Sequence, residues 1–309
     1  MLPGKASSIR EKAEDTLDEG IEFLEIGDEE EAGWYFQKSI EIDPSYADGY
    51  THLGNIAWRK GNWEEAETLY LKAKDCAKPE IQNIPEGSFW GILESRPYMR
   101  ALHGLGLTAW KLDRLEEAET IFKKMLELNP NDNQGVRYLA GPLYHQMGKL
   151  EEACKWYKQN SDDPNNLYNY GLALIQQNEL KKAMSILIFA VSSNPYIAPL
   201  LLGEDLPDTD WWHGTNWAEP EYAVDYVMDY GEWWDLEDLP LEVLEAVWWS
   251  MDLQKTLKDY IATRRALQKA ENAEDRVSLG RAGDNLFAGE KVRKMSAKIF
   301  KQFEMDTEF

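Results

Sequence analysis

The residues best suited to chemistry lie in one acidic, tryptophan-rich stretch, DTDWWHGTNWAEPEYAVDYVMDYGEWWD, at residues 208–235. Asp208, Asp210 and His213 are close together there, and Asp205 lies just before the stretch. Carboxylates beside an imidazole are potential ligands for a divalent metal ion. The stretch lacks the D-x-[DN]-x-[DN]-G pattern of a calcium loop, and its histidine is alone. The sequence therefore predicts no bound metal and no cofactor.

The same stretch suggests a second kind of chemistry, the recognition of a cation. Carboxylates beside exposed aromatic rings can accept a lysine or arginine side chain. The candidate residues for such an acidic and aromatic patch are Asp208, Asp210, Trp211, Trp212, Trp233 and Trp234. The alternative, which we favour, is that the tryptophans mainly form a structural cap, because buried aromatic side chains contribute large apolar areas.

Catalytic chemistry is not indicated elsewhere in the sequence. His52, His103 and His145 fall on three successive predicted helices and could approach one another, but histidines within a groove or core are more common than three-histidine sites. The sequence contains no nucleophile elbow, phosphate loop or pair of catalytic carboxylates. We therefore expect a protein that is not an enzyme.

The net charge argues against nucleic acid as a direct ligand. The 309 residues carry a formal charge of -23, and residues 183–254 contain acidic side chains but no lysine or arginine. Affinity for nucleic acid comes largely from basic side chains that contact phosphates, so phosphate backbones would repel this chain. The acidic field is compatible with a basic protein partner, although net charge also simply keeps a protein soluble.

Internal repetition positions these candidate residues. Five segments share a turn residue, a charged pair followed by alanine, and an aromatic or aliphatic residue four positions later. The repeated alanines are Ala32, Ala66, Ala118, Ala153 and Ala183. The glycines that precede them by twelve residues are Gly20, Gly54, Gly106, Gly141 and Gly171. Small residues at these points let two helices approach closely, beside Phe36, Tyr70, Phe122, Tyr157 and Leu187.

These spacings resemble the tetratricopeptide repeat, whose unit of about 34 residues is a helix, a turn and a second helix. The resemblance implies an all-α fold: a right-handed superhelix, or α-solenoid, of about five repeats followed by a tryptophan-rich helical cap. We place the array at residues 13–200, after an N-terminal arm at 1–12 and with an insertion at about 80–97. The repeats are predicted near 13–46, 47–79, 99–131, 134–163 and 164–197.

Two further segments follow the repeats. Residues 201–285 are predicted to form the acidic cap, with a helix near 219–230 and a longer one near 240–272, and to cover the apolar face of the last repeat. Residues 286–309 are predicted to form a basic amphipathic tail. The apolar stripe of this tail consists of Val292, Met295, Ile299 and Phe303.

Several positions are open for the tail. A basic amphipathic helix can lie on an anionic membrane, bind another protein, or return to the acidic surface of its own fold or of a dimer mate. We favour the last, because residues 183–254 supply a complementary charge. No run approaches the roughly 18 apolar residues of a membrane span, and the N-terminus has charges where a signal peptide has an apolar run. We therefore expect no membrane span and a cytoplasmic location.

A second resemblance covers about residues 95–250. It rests on the runs SRPYMRALHGLGLTAWKLDRLEEAETIFKKMLELNPNDNQGVRYL, NPYIAPLLLGEDLP and EPEYAVDYVMDYGEWW. These runs are similar to a group of prokaryotic repeat proteins of unassigned function and, more distantly, to the suppressor of tumorigenicity 7 family. The resemblance implies that the region after Pro195 belongs to the same domain as the repeats, and it implies no reaction.

In repeats of this kind, the first helix of each unit, which we call helix A, lines a concave groove. The outward positions of helix A here include Asn55, Trp58, Arg59, Arg100, His103, Trp110, Tyr138, His145, Tyr168 and Asn169. This aromatic and polar mixture suits an extended peptide or a helix, whose apolar side chains need pockets. The residues that grip chaperone C-termini in one subfamily are not reproduced here.

The sequence therefore predicts a scaffold or adaptor that binds a protein or peptide partner in this groove. The alternative is a dedicated chaperone that shields a basic client with its acidic surface. Salt separates the two, since shielding by charge weakens steeply with ionic strength and binding in aromatic pockets does not. Self-binding or dimerisation through the tail is a further expectation.

Overall fold

A computed structural model describes residues 8–306. These residues form sixteen α-helices and three short 3-10 helices, with no β-strand among them. The predicted all-α solenoid class of fold is confirmed. The chain divides into two compact units, residues 1–143 and 144–309, and the division falls inside the seventh α-helix. Residues 1–7 of the predicted arm and 307–309 of the predicted tail lie outside the described residues.

The first unit contains three helical hairpins, each formed by helix A and the second helix, helix B, of one repeat. They are α1 (Ile9–Glu25) with α2 (Glu29–Ile42), α3 (Ala47–Arg59) with α4 (Trp63–Ile81), and α5 (Arg96–Lys111) with α6 (Leu115–Leu128). Helix α7 (Val136–Gln146) follows. Helix α3 contacts α5 as well as α4, so neighbouring A helices lie side by side. Helix α1 begins inside the segment that the sequence assigned to the arm.

The second unit contains the remaining helices. They are α8 (Leu150–Gln159), α9 (Pro164–Gln176), α10 (Leu180–Ser193), α11 (Ile197–Leu202), α12 (Pro220–Trp234), α13 (Asp238–Trp248), α14 (Met251–Lys269), α15 (Ala273–Leu286) and α16 (Gly289–Asp306). Helices α9 and α10 form the hairpin of repeat five. The helices after α10 belong to the predicted cap and tail.

A close approach between a glycine and a large side chain locks the hairpins. A methyl group added to Gly20 would lie 2.6 Å from Cε1 of Phe36, and one added to Gly54 would lie 2.7 Å from Cε1 of Tyr70. The same approach recurs in the third and fifth repeats. The role that the sequence predicted for these glycines, close packing of helix A on helix B, is confirmed in these hairpins.

The turn inside each repeat depends on one residue in the left-handed backbone region. The angle φ is +84° at Gly27, +77° at Gly61 and +70° at Gly148, which glycine adopts without steric cost. Asp113 and Asn178 hold the same place, with φ of +58° and +59°. Their short polar side chains tolerate this conformation better than most. One repeated position therefore sets the turn in all five repeats.

The insertion between repeats two and three consists of short turns. Two 3-10 helices occupy Phe89–Gly91 and Leu93–Ser95. The buried hydroxyl of Ser95 donates a hydrogen bond to the carbonyl oxygen of Phe89, which ties the two turns together. Helix α5 begins directly after them.

Helices α11, α12 and α13 form a cap on the last repeat. Helix α11 contacts α12 and α13, and α13 contacts α9 and α10. The prediction of a single long helix near 240–272 is wrong, because one helix ends at Trp248 and the next begins at Met251. Ser250 starts the new helix: its hydroxyl accepts a hydrogen bond from the backbone N–H of Leu253, as an N-cap residue does.

The tail forms α16 and packs on the fold. Its predicted apolar stripe is buried, and the helix contacts α10 and α13. Ser185 of α10 donates a hydrogen bond of 2.7 Å to Ser296 of α16. Lys298 pairs with Asp252 at 2.7 Å. Because α10 is helix B of repeat five, the tail packs on the helix B side of that repeat.

Candidate functional site

A pocket of about 300 Å³ lies on the helix A face of the first unit, between α3 and α5. Five of the predicted groove residues line it, namely Asn55, Trp58, Arg59, Arg100 and His103. Asn55 lies one turn before Trp58 and Arg59 on α3, while Arg100 and His103 lie one turn apart on α5. The packing of α3 against α5 therefore brings together residues that are up to 48 positions apart in the chain.

Carboxylates balance the two arginines of this pocket. Arg59 pairs with Glu29 at 2.6 Å. Arg100 donates two hydrogen bonds to Asp48, at 3.0 and 2.7 Å. Burial lowers the pKa of His103 below its ordinary value, so its imidazole is neutral at pH 7. The pocket is therefore polar and aromatic, without a strong excess of either charge.

Two polar groups of the pocket lack a hydrogen-bond partner among the described residues. They are the indole N–H of Trp58 and the side-chain oxygen of Gln134, and both atoms are buried. The amide nitrogen of Gln134 donates to the carbonyl oxygen of Met99 at 3.3 Å, which fixes the orientation of the amide. One buried donor and one buried acceptor at the pocket thus lack a partner, and a buried polar group without a partner is costly. The sequence reasoning missed Gln134, which lies in the turn before α7.

The other two predicted groove residues of the first unit, Trp110 and Tyr138, contact side chains of the same repeat or of the same helix. The ring of Trp110 is half-buried and meets that of Phe122 edge-on, with 6.3 Å between centroids. The guanidinium of Arg137 lies over the ring of Tyr138, 4.7 Å from its centroid. Neither Trp110 nor Tyr138 lines the pocket described above.

The predicted groove residues of the second unit are buried by α12. Tyr168 and Asn169 are fully buried, and His145 is nearly so. The hydroxyl of Tyr226 donates to Oδ1 of Asn169 at 2.9 Å, and the ring of Trp233 lies 4.8 Å from that of His145. Within this unit, the helix A face is therefore covered by the chain itself and is not an open groove.

His145 is held neutral in this closed face. Its Nε2 lies 2.7 Å from Oε1 of Gln176, which can only accept, so Nε2 carries the proton. Its Nδ1 then accepts from the hydroxyl of Tyr157, at 3.2 Å. Burial lowers the pKa of His145 to about 4. This arrangement describes a packed core histidine.

The acidic and aromatic patch contacts cations from its own chain. Arg264 of α14 lies over the ring of Trp212, 4.8 Å from its centroid, and donates to the carbonyl oxygen of His213 at 2.7 Å. Arg265 pairs with Asp208 and donates to the carbonyl oxygen of Asp210 at 3.0 Å. The chemistry proposed for this stretch from the sequence, arginine recognition, thus operates within the protein and fixes the loop before α12.

The remaining patch residues split between core and surface. Trp234 is fully buried, and its indole N–H donates to the hydroxyl of Tyr226 at 2.8 Å. Trp211 is also buried, with its ring 4.1 Å from that of His213. Trp212 is 48% exposed. Asp208, Asp210, Trp211, Trp212, Trp233 and Trp234 therefore do not form one surface.

The histidine of the predicted patch has protein partners. Nε2 of His213 lies 2.7 Å from the hydroxyl of Tyr196, and its Nδ1 lies 3.1 Å from Glu219. Among residues 8–306, no group of three or more His, Cys, Asp or Glu side chains is placed to hold a metal ion. None of the helices in this part of the chain has the length and apolar character needed to cross a bilayer.

Models of one repeat family match this chain. Three tetratricopeptide repeat models match residues 17–80, 99–132 and 135–159. With the four helix A and helix B hairpins and their glycine contacts, they define the class: the chain contains tetratricopeptide repeats. The second resemblance, to the suppressor of tumorigenicity 7 family, stays an expectation.

Two curated proteins share part of the sequence. The type IV pilus assembly protein PilF of Pseudomonas aeruginosa is 26% identical over 163 aligned residues, and the match covers 47% of this chain and 65% of PilF. Anaphase-promoting complex subunit 3 of Schizosaccharomyces pombe is 25% identical over 125 residues, which are 40% of this chain and 15% of that protein. The chain therefore spans less than two thirds of either relative.

Among solved structures, that of Pseudomonas aeruginosa PilF is similar, with a TM-score of 0.50 at 20% identity. The match covers 77% of this chain and 99% of that one. At this identity the similarity concerns the fold alone, and it agrees with an all-α repeat architecture.

Proposed function

We propose that this protein is a non-enzymatic scaffold that binds a peptide or a helix of a partner protein on the helix A face of repeats two and three. The observation that carries the proposal is the pocket between α3 and α5. It contains an aromatic ring, a neutral imidazole, and one unpaired donor and one unpaired acceptor, at Trp58, His103 and Gln134. A peptide supplies apolar side chains for the ring and backbone amides for the polar side chains that line the pocket.

The relatives are consistent with this role. PilF is named for the assembly of a pilus, and the fission yeast protein is named as the subunit of a complex. Solenoids of stacked repeats present extended concave surfaces to other proteins. A role in assembling proteins is therefore the function that we infer for this chain, and its partner is a protein.

An acidic chaperone for a basic client is the second candidate. It is favoured by the surface of α12, where Asp225, Asp229 and Glu232 are exposed, within a block that contains no lysine or arginine. Such a surface attracts a basic protein through its field. The two candidates predict different binding sites on the same chain.

The test begins with peptides selected from a random library on the full-length chain. Their affinity is then measured for the wild type and for the double variant Trp58→Ala, Trp110→Ala. We expect the affinity to fall at least tenfold, because interface tryptophans often dominate binding. Trp34→Ala with Trp249→Ala is the matched control, because it removes two exposed tryptophans from outside the helix A face.

Salt provides the second arm of this experiment. Binding in the pocket should change little when NaCl rises from about 0.05 to 0.5 M, whereas binding to an exposed acidic surface should weaken steeply. If the selected peptides are all basic, are lost at high salt and ignore the tryptophan variant, the scaffold proposal is wrong and the chaperone is favoured.

A further inference from the structure

Helix α12 shows which ligand chemistry the helix A face of this chain accepts. It packs on that face in the second unit through a stripe of aromatic side chains at positions i, i+4, i+8 and i+11, which are Tyr222, Tyr226, Tyr230 and Trp233. The hydroxyl of Tyr222 donates to Asp163, the N-cap of α9, at 2.8 Å. Further along, Tyr226 reaches Asn169 and Trp233 reaches His145. The helix thus behaves as a ligand that is part of the chain.

The alignment of the repeats shows which residues of the first unit are equivalent to those that α12 contacts in the second unit. His145, which contacts Trp233, lies four residues after the helix A glycine of repeat four. The same position holds Trp58 in repeat two and Trp110 in repeat three. Repeats two and three thus have a tryptophan at the position that contacts α12 in repeat four. The ring of Trp58 lines the open pocket.

A second position of helix A gives the same correspondence between the two units. Tyr168 lies three residues before the helix A glycine of repeat five, and its ring lies 5.6 Å from that of Tyr226. The corresponding residue of repeat three is His103, which also lines the pocket. Both residues present a flat ring that can stack on a tyrosine.

The charged residues of α12 and of the pocket can also be compared. The outer face of α12 exposes the carboxylates of Asp225 and Asp229. Beside the open pocket, the exposed ammonium of Lys111 lies 6.0 Å from the centroid of the Trp58 ring. A helix with acidic flanks would therefore meet this cation at the site.

We propose that the open face of α3 and α5 binds a partner helix of the same chemistry as α12: an acidic, amphipathic helix with tyrosine or tryptophan at i, i+4, i+8 and i+11. This inference rests on the proposed function and names the class of partner. Tyrosine suits such a site because its ring fills an apolar groove while its hydroxyl finds a polar partner at the edge. Helices that bind in grooves contact them through side chains spaced three or four residues apart, as in this stripe.

The test uses a labelled peptide with the sequence of residues 219–235, EPEYAVDYVMDYGEWWD, and the full-length chain. Fluorescence anisotropy should report binding to the wild type, and Trp58→Ala with Trp110→Ala should weaken it at least tenfold. A control peptide carries serine at the positions of Tyr222, Tyr226 and Tyr230, keeps all the carboxylates, and should not bind. This control needs no change in the chain, so it remains informative if the tryptophan variant unfolds.

Two results would overturn the inference. The first is a peptide that binds equally well to the tryptophan variant but loses affinity in His145→Ala, which would mean that it displaces α12 from the second unit. The second is no binding of the peptide to a chain that does bind library-selected peptides through Trp58. In that second case the proposed function stands and only the partner class is wrong, whereas binding of no peptide through Trp58 contradicts both.

Discussion

At the scale of single residues, packing in four of the repeats depends on a glycine that leaves room for a large side chain of helix B. In the Gly20 and Phe36 contact, the ring is fully buried, so it has little space into which to move. Filling such a space forces strained side chains and backbone shifts. The glycines of the helix A series are thus packing residues.

We therefore predict that Gly20→Ala lowers the free energy of unfolding by about 1–3 kcal/mol, the usual cost of overpacking a core. Gly33→Ala is the matched control in the same hairpin, because its methyl group would lie 3.7 Å from Ile56, at ordinary contact distance. There the better helix propensity of alanine should raise stability by up to about 1 kcal/mol. Urea denaturation measures both, and equal effects of the two substitutions would contradict the packing role.

The buried imidazole of His145 predicts a dependence on pH. Its folded-state pKa is lowered to about 4, so the unfolded chain binds its proton first as the pH falls below about 6.5. The contribution of His145 to stability is therefore unaffected above pH 7 and is lost progressively between pH 6.5 and 4. The full loss is on the order of 3 kcal/mol.

His145→Gln removes the titrating group and keeps a polar side chain of similar length. The difference in unfolding free energy between wild type and this variant should shrink or reverse as the pH falls from 7 to 4, in denaturant titrations at fixed ionic strength. A difference that stays constant over this range would show that His145 titrates normally in the folded protein.

The sequence predicted the exposure of a helix A residue correctly where its neighbours all belong to the repeats. Trp58 and His103 were assigned to the groove by their place in helix A, and both line a pocket. Tyr168 and Asn169 occupy helix A by the same logic but are buried, because α12 covers them. No local pattern around Asn169 indicates that a helix more than fifty residues later will contact it.

At the scale of elements, α12 decides which part of the helix A face is open. Its aromatic stripe was visible in the sequence as EYAVDYVMDYGEWW, but the stripe alone does not say which surface it packs on. The contacts of Tyr226 settle this in the structure, since its hydroxyl joins α12 to Asn169 of α9 and also accepts from Trp234.

Tyr226→Phe should therefore lower the free energy of unfolding by about 2–4 kcal/mol, because it leaves two buried polar groups without their partner. Tyr230→Phe on the same helix is the control, and its effect should lie within about 0.5 kcal/mol, as expected where no such bond is lost. Thermal or urea unfolding followed by tryptophan fluorescence measures both variants. Comparable effects would mean that the Tyr226 hydroxyl does not anchor α12.

The tail helix α16 is an element of the fold and not an occupant of the groove. It buries four apolar side chains against helices that include α10, each contributing roughly 1.5–3 kcal/mol when fully buried. Deletion of residues 289–309 should lower the melting temperature and leave the affinity for a Trp58-dependent peptide unchanged. A tenfold gain in affinity would instead place the tail in the binding site.

The break at Ser250 shows where element prediction from sequence fell short. Apolar residues continue at helical spacing from α13 into α14, so periodicity alone joins them into one helix. The hydroxyl of Ser250 competes for the backbone and starts a new helix two residues after Trp248. A capping serine before a helical run is a readable signal, and periodicity concealed it here.

At the scale of the whole molecule, helix A of the repeats has two roles. In the second unit the helix A face is filled by α12 and supports the cap, while in the first unit the equivalent face holds an open, polar and aromatic pocket. The class of fold was predictable because its repeats recur five times in the sequence. The closure of one face was not predictable, because it depends on a segment outside the repeats.

The central claim is that a partner binds on α3 and α5 while α12 stays in place. Hydrogen–deuterium exchange on the full-length chain, with and without a saturating library-selected peptide, tests it most directly. The claim predicts slower exchange in residues 47–59 and 96–111 and unchanged exchange in residues 220–234. Faster exchange in residues 220–234, without protection of α3 and α5, would contradict it by showing that the ligand displaces α12.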